Sequence, residues 1–164
     1  MMLELHNVTI GQQIRGVSAT VEDGRMACVW GAQGAGKTTL LRAVLGFIGV
    51  DGGHISIDGE LLTPLSAPYF RRQMAYVPQQ LSLPDGYDRV GDGRWDVMNA
   101  DERYLWLLTQ ATMSGKQLLI VDEPQEPLSE ETWQSVDNLL AQAMQRGTTV
   151  LIVTNRYNEN VIQL

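Results

Sequence analysis

The sequence has few of the features that mark membrane, secreted or nucleic-acid-binding proteins. No apolar run in its 164 residues approaches the roughly 18 that a membrane-spanning helix needs, and no signal-peptide pattern precedes the first predicted strand. Lys and Arg number 12 against 19 Asp and Glu, a net charge of −7, and the basic residues form no run. This balance argues against nucleic acid as a direct partner. We therefore expect one soluble domain in the cytosol.

Cysteine and histidine are equally scarce. The single cysteine, Cys28, lies in the apolar run MACVW with no neighbouring histidine, which favours a small core residue over a catalytic thiol. The two histidines, His6 and His54, fall at strand positions expected to face solvent. Neither has a second ligand at a useful spacing, so we expect no metal or catalytic role for them.

Apolar periodicity predicts strands that alternate with helices. The alternating segments 3–10 and 14–21 favour a β-hairpin connected by residues 11–13. The segment 81–96, with three glycines and four aspartates, is typical of a loop or a mobile segment. Further strands are expected at 26–30, 54–59, 74–77, 117–121 and 148–154. The main helices are expected at 38–45, after a cap at Asn99 and after a cap at Ser129, and a short helix is expected after a cap at Ser66. This alternation predicts an α/β fold with a mostly parallel sheet flanked by helices, made mixed by the N-terminal antiparallel hairpin.

The segment GAQGAGKTT (31–39) follows a predicted buried strand and precedes a predicted helix. Gly31, Gly36, Lys37 and Thr38 satisfy the spacing of a phosphate-binding loop, G-x-x-x-x-G-K-[ST]. Glycines let backbone N–H groups approach phosphate oxygens, and the helix start adds unpaired donors. Lys37 is expected to reach the β- and γ-phosphates, and the Thr38 hydroxyl to bind Mg²⁺. The flanking strand and helix favour this interpretation over a glycine-rich turn.

A second motif, LLIVDEP (118–124), places two carboxylates at the end of a buried strand. Ligands of parallel α/β sheets bind at the carboxyl ends of strands, so Asp122 and Glu123 are expected to face the phosphates. Asp122 would hold Mg²⁺, and Glu123 would polarise the attacking water. A solvated acidic turn would be the simpler interpretation of Asp-Glu-Pro alone, but the loop at 31–38 disfavours it.

In their order along the chain, these motifs resemble the ATP-binding subunits of ABC (ATP-binding cassette) transporters. The resemblance also rests on GGHISIDG (52–59), MAYVPQQ (74–80) and GTTVLIVTN (147–155). It implies a P-loop NTPase core that binds ATP and Mg²⁺, and Gln79 as the residue that senses Mg²⁺ and the attacking water. It also implies a membrane permease and a second ATP-binding subunit, in a homodimer or heterodimer, as partners. The location would then be cytoplasmic, peripheral at the inner face of the membrane.

The resemblance assigns a role to each site residue. Those expected to bind the nucleotide are Gly31, Gln33, Gly34, Ala35, Gly36, Lys37, Thr38 and Thr39. Those expected to hold the metal are Thr38, Gln79 and Asp122. Those expected to take part in catalysis are Glu123, Lys37, Gln79 and Asn155.

The chain departs from the family between Gln79 and Asp122, which lie only 43 positions apart. Most of a helical subdomain is therefore expected to be missing. We predict one domain over residues 1–164, with that subdomain reduced to about 81–115 and residues 81–98 forming a short connector without a projecting helical arm. The segment DVMNADER (96–103) lacks the LSGGQ-type signature, and its Asp101 and Glu102 would repel a γ-phosphate.

Three single positions also depart from the family. Asn155 stands where relatives have a switch histidine, and it cannot carry a proton or a positive charge. Residues 10–13 contain no aromatic side chain that could stack on adenine. Ser129 replaces an Asp and is interpreted as a helix cap, while Trp30 and Trp133 are expected in the core.

Two functions remain open at this point. The chain is either an ABC-type ATPase subunit, weakly active alone and restored by a complete partner, or a nucleotide-binding regulatory or assembly module that does not hydrolyse. The retained Glu123 favours the first, because a pure binder has no chemical need for a general base. A small-molecule kinase is a weaker third interpretation, since no Arg-rich lid is evident.

Overall fold

The computed structural model of the chain describes residues 1–82 and 94–164. The expected segment 81–96 therefore lies largely outside the described residues. The elements in chain order are β1 (Leu3–Ile10), β2 (Ile14–Val21), β3 (Met26–Trp30), α1 (Lys37–Val44), β4 (Gly52–Ile57), β5 (Glu60–Leu61), α2 (Ala67–Arg71), β6 (Met74–Val77), α3 (Arg94–Val97), α4 (Ala100–Met113), β7 (Leu118–Val121), α5 (Glu130–Gln145), β8 (Thr149–Val153) and β9 (Val161–Gln163).

The N-terminal hairpin is confirmed, but it belongs to a sheet of its own. Strands β2, β1, β4 and β5 form an antiparallel sheet in that order, with Leu3 opposite Val21 and Ile10 opposite Ile14. The apolar residues of β1 are buried and its polar residues are not, whereas β3 is almost wholly buried. A strand with one apolar face belongs in a half-solvated antiparallel sheet, and a wholly apolar strand belongs in a covered parallel one. The hairpin and the parallel strands therefore form two sheets rather than one mixed sheet.

The parallel sheet brings the functional segments to one edge. Its order is β6-β7-β8-β3-β9, and all of its pairings are parallel. The segments that follow β3, β7 and β8 are the phosphate loop, the Asp122–Glu123 pair and Asn155. Since parallel strands share their carboxyl edge, these three segments lie side by side.

The long helices follow their predicted caps. The Asn99 side chain accepts from the Glu102 N–H at 2.9 Å, and the Glu102 carboxylate accepts from the Asn99 N–H at 2.9 Å. The Ser129 hydroxyl accepts from the Thr132 N–H at 3.2 Å. Ser66 does not cap α2, since its backbone is already helical and its hydroxyl donates instead to the Leu61 carbonyl at 2.8 Å.

Two apolar clusters cover the parallel sheet. One joins α1 to the antiparallel sheet, and the other joins α4 and α5 to the opposite face. Cys28 lies in the second cluster, fully buried, and burial raises the pKa of its thiol to about 11. The core role predicted for Cys28 is confirmed. None of the described helices combines the length and the apolar character that a membrane span requires.

Two smaller features were not evident from the sequence. His6 and His54 are opposite each other in the β1–β4 pairing, and their rings stack at 4.5 Å. Within residues 1–82 and 94–164, no group of three His, Cys, Asp or Glu side chains is placed to hold a metal ion.

Of the predicted connector 81–98, residues 83–93 lie outside the described part. Its other end forms the single turn α3, whose Trp95 ring packs edge-on against Trp106.

Candidate nucleotide site

The phosphate loop takes a conformation that depends on glycine. Gly34 and Gly36 have φ angles of +81° and +98°, a region that other residues rarely adopt. A Cβ on Gly36 would lie 3.2 Å from both the Gln13 Cβ and the Ile14 Cγ1. The loop therefore fits closely under β2, and α1 begins directly after Gly36. The N-terminus of α1 directs its unpaired N–H groups toward the cleft.

Lys37, the first residue of α1, has its ammonium between two oxygens. Its Nζ donates to the Gly31 carbonyl at 2.8 Å and lies 3.1 Å from the Glu123 Oε2. The Lys37 side chain is 18% exposed, and that of Glu123 is 48% exposed. This contact joins the phosphate loop to the end of β7, two segments separated by more than 80 positions. The convergence of Lys37 with Glu123 is the geometry expected for a phosphate site.

Asp122 is a buried carboxylate held by neutral hydrogen-bond donors. It is 2% exposed, accepts from the Thr38 hydroxyl at 2.9 Å and from the Glu123 N–H at 2.9 Å, and lies 3.5 Å from the Tyr76 hydroxyl. Among the residues that the structure describes, no cationic group approaches it within 4 Å. Burial raises the pKa of Asp122, and these hydrogen bonds oppose the rise in part.

The donor set at Asp122 fits a magnesium ion. A hydroxyl and a carboxylate oxygen within hydrogen-bonding distance are ligands that Mg²⁺ prefers, and P-loop proteins use this pair. A divalent cation would also supply the charge that the buried carboxylate lacks. Thr38 and Asp122 are therefore suited to hold Mg²⁺, with Gln79 on the wall of the same cleft.

A single open cleft of about 860 Å³ collects most of the predicted site residues. This volume is in the range of small-molecule and cofactor sites. The predicted residues that line it are Gln33, Gly34, Gly36, Lys37, Thr38, Thr39, Gln79, Asp122, Glu123 and Asn155. Gly31 and Ala35 do not line it: the Gly31 carbonyl binds Lys37, and the Ala35 N–H donates to the Ala32 carbonyl at 3.1 Å.

Sequence reasoning missed one wall of this cleft. Trp133, expected in the core, is only partly buried and lines the cleft together with Arg156. The Arg156 guanidinium lies 5.0 Å over the Trp133 ring and is ion-paired with Glu130. Trp133 lies at the edge of the apolar stripe of α5, and Arg156 directly follows Asn155. Neither position alone identifies a cleft wall, because the two side chains meet only through the fold.

Gln13 was also missed, although its segment was considered for stacking on adenine. Its Nε2 donates to the Gly34 carbonyl at 3.1 Å, and its side chain lines the cleft. The segment 10–13 therefore supports the phosphate loop through an amide rather than through a ring.

Comparison with known proteins agrees with the geometry. The family model described as ABC transporter matches residues 14–153, which include every residue of the site described above except Gln13, Asn155 and Arg156. The chain belongs to the ABC transporter family. The match includes the second strand of the hairpin, the phosphate loop and the acidic strand.

Curated relatives differ widely in total length. The uncharacterised ABC transporter ATP-binding protein YybJ of Bacillus subtilis is 28% identical over 176 residues, covering 90% of this chain and 80% of that protein. The ATP-dependent lipid A-core flippase of Syntrophus aciditrophicus is 25% identical over 195 residues, covering 94% of this chain but 32% of that protein. This chain thus spans about a third of the length of the flippase.

Solved structures share the fold. One titled as the ATP-binding subunit of an ABC transporter superposes with a TM-score of 0.76 at 21% identity, covering 95% of this chain and 80% of that one. A nucleotide-free ATP-binding cassette from an ABC transporter gives a TM-score of 0.78 at 17% identity, covering 94% and 81%. At these identities the likeness establishes the P-loop α/β fold.

One of these alignments contains positions that have no counterpart in this chain. The flippase alignment runs over 195 residues, whereas this chain has 164, so at least 31 aligned positions (195 minus 164) have no counterpart here. This shortage agrees with the interval of 43 positions between Gln79 and Asp122. The resemblance to ABC transporter ATP-binding subunits is therefore confirmed, and the reduction of the helical subdomain stays a prediction.

Proposed function

We propose that the chain is the ATP-binding subunit of an ABC-type transporter and that it hydrolyses Mg-ATP slowly when alone. The observation that carries the proposal is the convergence of Lys37, Thr38, Asp122 and Glu123 at one end of a single cleft. Two of these residues begin α1 and two directly follow β7, and both segments open on the carboxyl edge of the sheet. This arrangement suits a triphosphate with its metal.

The side chains take distinct roles in this proposal. When bound, Mg²⁺ neutralises phosphate charge, and Thr38, Asp122 and Gln79 hold it. The glycines of the loop orient backbone N–H groups toward phosphate oxygens. A terminal phosphate competes with Glu123 for the Lys37 ammonium, so the Glu123 carboxylate is released to accept a proton from the attacking water. Asn155 donates a hydrogen bond to the same phosphate but supplies no charge.

Slow turnover alone follows from two features of the site. The first is Asn155, which lies in the cleft where relatives carry a histidine. The second is the start of α4, where acidic residues replace the family signature, so a second copy of this chain offers no γ-phosphate contact. A complete ATP-binding subunit would supply that contact, and we propose such a heterodimer, with a membrane permease, as the working state. The location is then cytoplasmic, at the inner face of the membrane.

A non-hydrolysing regulatory or assembly module is the second candidate. It is favoured by the neutral Asn155 and by the absence of a ring in residues 10–13, which removes a contact to the base. The two candidates differ in whether the Glu123 carboxylate is needed.

Turnover of Mg-ATP by wild type and by Glu123→Gln separates them. We expect wild type to hydrolyse slowly and Glu123→Gln to lose about a hundredfold or more in kcat, as general bases contribute 10²–10⁴-fold, while binding persists. Glu126→Gln is the matched control, because this exposed carboxylate lies three residues later and does not line the cleft. No turnover by wild type above that of Glu123→Gln, with and without a signature-bearing ABC subunit, would favour the non-hydrolysing module.

A further inference from the structure

The carboxylate of Asp101 binds the N-terminus of α5. Its Oδ2 accepts from the Ser129 N–H at 3.0 Å and from the Thr132 hydroxyl at 2.7 Å. These hydrogen bonds hold the pKa of Asp101 below its ordinary value of 3.8. The acidic residue that replaces the family signature is therefore directed at a segment of its own chain, rather than at solvent.

The segment that Asp101 reaches is the end of the loop 124–129. This loop begins directly after Glu123 and ends at the α5 cap, Ser129. Pro124, Gln125, Pro127 and Leu128 line the cleft. The loop therefore connects the predicted general base to the helix that carries Trp133, another wall of the cleft.

The loop has few other attachments. At its start, the Glu123 N–H donates to Asp122, and near its end Leu128 packs against the α4–α5 cluster. Within residues 1–82 and 94–164, Asp101 links the loop to α4 by accepting from the Ser129 N–H. Ser129 also binds α5, the helix that it caps, because its hydroxyl and its carbonyl accept from the Thr132 and Trp133 N–H groups. The loop contains two prolines and forms no hydrogen bond within residues 124–129, so the contacts at its two ends hold it in position.

We propose that Asp101 is a positioning residue that fixes the loop 124–129, and through it the placement of Glu123 at the cleft. The segment that would act on a partner's nucleotide in a signature-bearing subunit thus acts here on the chain's own site. The effect on Glu123 rests on the proposed ATPase function, whereas the effect on the loop does not.

The neighbouring residue provides a matched control. Glu102 lies on the same first turn of α4 as Asp101 and carries the same charge. It therefore interacts just as favourably with the helix dipole. Its carboxylate accepts from the Asn99 N–H and does not reach α5. Glu102→Gln therefore removes a charge from the first turn of α4 without removing the link to Ser129.

Hydrogen–deuterium exchange of the peptide spanning 124–133, measured without nucleotide, tests the loop directly. Loss of a cap-type contact should speed exchange there about fivefold in Asp101→Ala, with Asp101→Asn between it and wild type because its amide oxygen still accepts one hydrogen bond. Glu102→Gln should match wild type in this peptide. If Asp101→Ala fails to fold, Asp101→Asn serves for the same comparison. Equal exchange in wild type and the Asp101 variants would overturn the proposal.

Turnover then tests the link to Glu123. We expect Asp101→Ala to lower kcat about fivefold with an unchanged KM for Mg-ATP, because Asp101 does not line the cleft and disturbs only the base. Faster exchange without a change in kcat would overturn the positioning of Glu123. A wild type that shows no turnover would contradict the proposed function, and the exchange data would still decide whether Asp101 fixes the loop.

Discussion

Replacing Asp122 with Asn should raise the stability of the chain while removing its response to magnesium nucleotide. Asp122 is 2% exposed, and its hydrogen-bond donors are neutral: the Thr38 hydroxyl, the Glu123 N–H and, at 3.5 Å, the Tyr76 hydroxyl. Burial raises its pKa, so the folded state disfavours the charge that it carries at neutral pH. The isosteric amide removes this charge and keeps one oxygen acceptor.

The expected gain is about 1 kcal/mol, because the neutral amide no longer incurs the cost of a buried unpaired charge but loses a charge-assisted hydrogen bond. For a domain of this size that corresponds to a rise of roughly 2–4 °C in Tm. This gain should shrink as the pH falls, because wild-type Asp122 then becomes neutral as well. Between the ordinary pKa of 3.8 and the raised one, folded wild type holds a proton that the unfolded chain releases. Wild-type stability therefore falls as pH rises through this window, and Asp122→Asn lacks that slope.

Thermal unfolding with and without Mg-ATP measures both effects. At a concentration a hundred times Kd, ligand should stabilise wild type by about 2.7 kcal/mol, and this increment should depend on Mg²⁺ in wild type but not in Asp122→Asn. Asp96→Asn is the control, because it makes the same change at an exposed position. A markedly lower Tm for Asp122→Asn, or a full magnesium-dependent increment in that variant, would refute the reasoning.

Two further substitutions test the site and the fold. Lys37→Ala should weaken Mg-ATP binding by about 2 kcal/mol, or roughly thirtyfold, through loss of a charge-assisted contact. Lys116→Ala is the control, because Lys116 lies outside the cleft, and the Kd measured by calorimetry should not change. Equal Kd values for the two variants would contradict the role assigned to Lys37. Gly53→Ala should destabilise the chain by about 3 kcal/mol or more, since its φ is +68° and a Cβ would lie 2.1 Å from the His6 carbonyl oxygen. Gly59→Ala, with φ +79° and nothing within 4 Å, should cost only about 1 kcal/mol in urea unfolding; similar losses in the two variants would be the contrary result.

The parts of the site that are local in sequence could be predicted. The phosphate loop follows from four specified residues within eight positions, with a strand before and a helix after. Asp122 and Glu123 follow from the apolar run that precedes them. Their meeting follows from the rule that parallel strands share one carboxyl edge. Both capped helices were predicted for the same reason, because a cap and its partner lie three residues apart.

The parts that depend on distant pairings could not be predicted. Strand β9 has three residues and pairs only because β3 offers a free edge. Trp133 and Arg156 meet across two elements, so neither position alone indicates a cleft wall. The sequence predicted only that Asp101 would repel a γ-phosphate, whereas its carboxylate accepts from the Ser129 N–H, a contact that depends on how α4 packs on α5.

Calorimetric titration of the wild-type chain with Mg-ATP tests most directly whether the cleft binds a magnesium nucleotide. If Lys37, Thr38, Asp122 and Glu123 form one magnesium-nucleotide site, the titration should show binding of one nucleotide per chain, strongly weakened by chelation of the metal and by Lys37→Ala. No heat of binding, or binding that is indifferent to both changes, would contradict it.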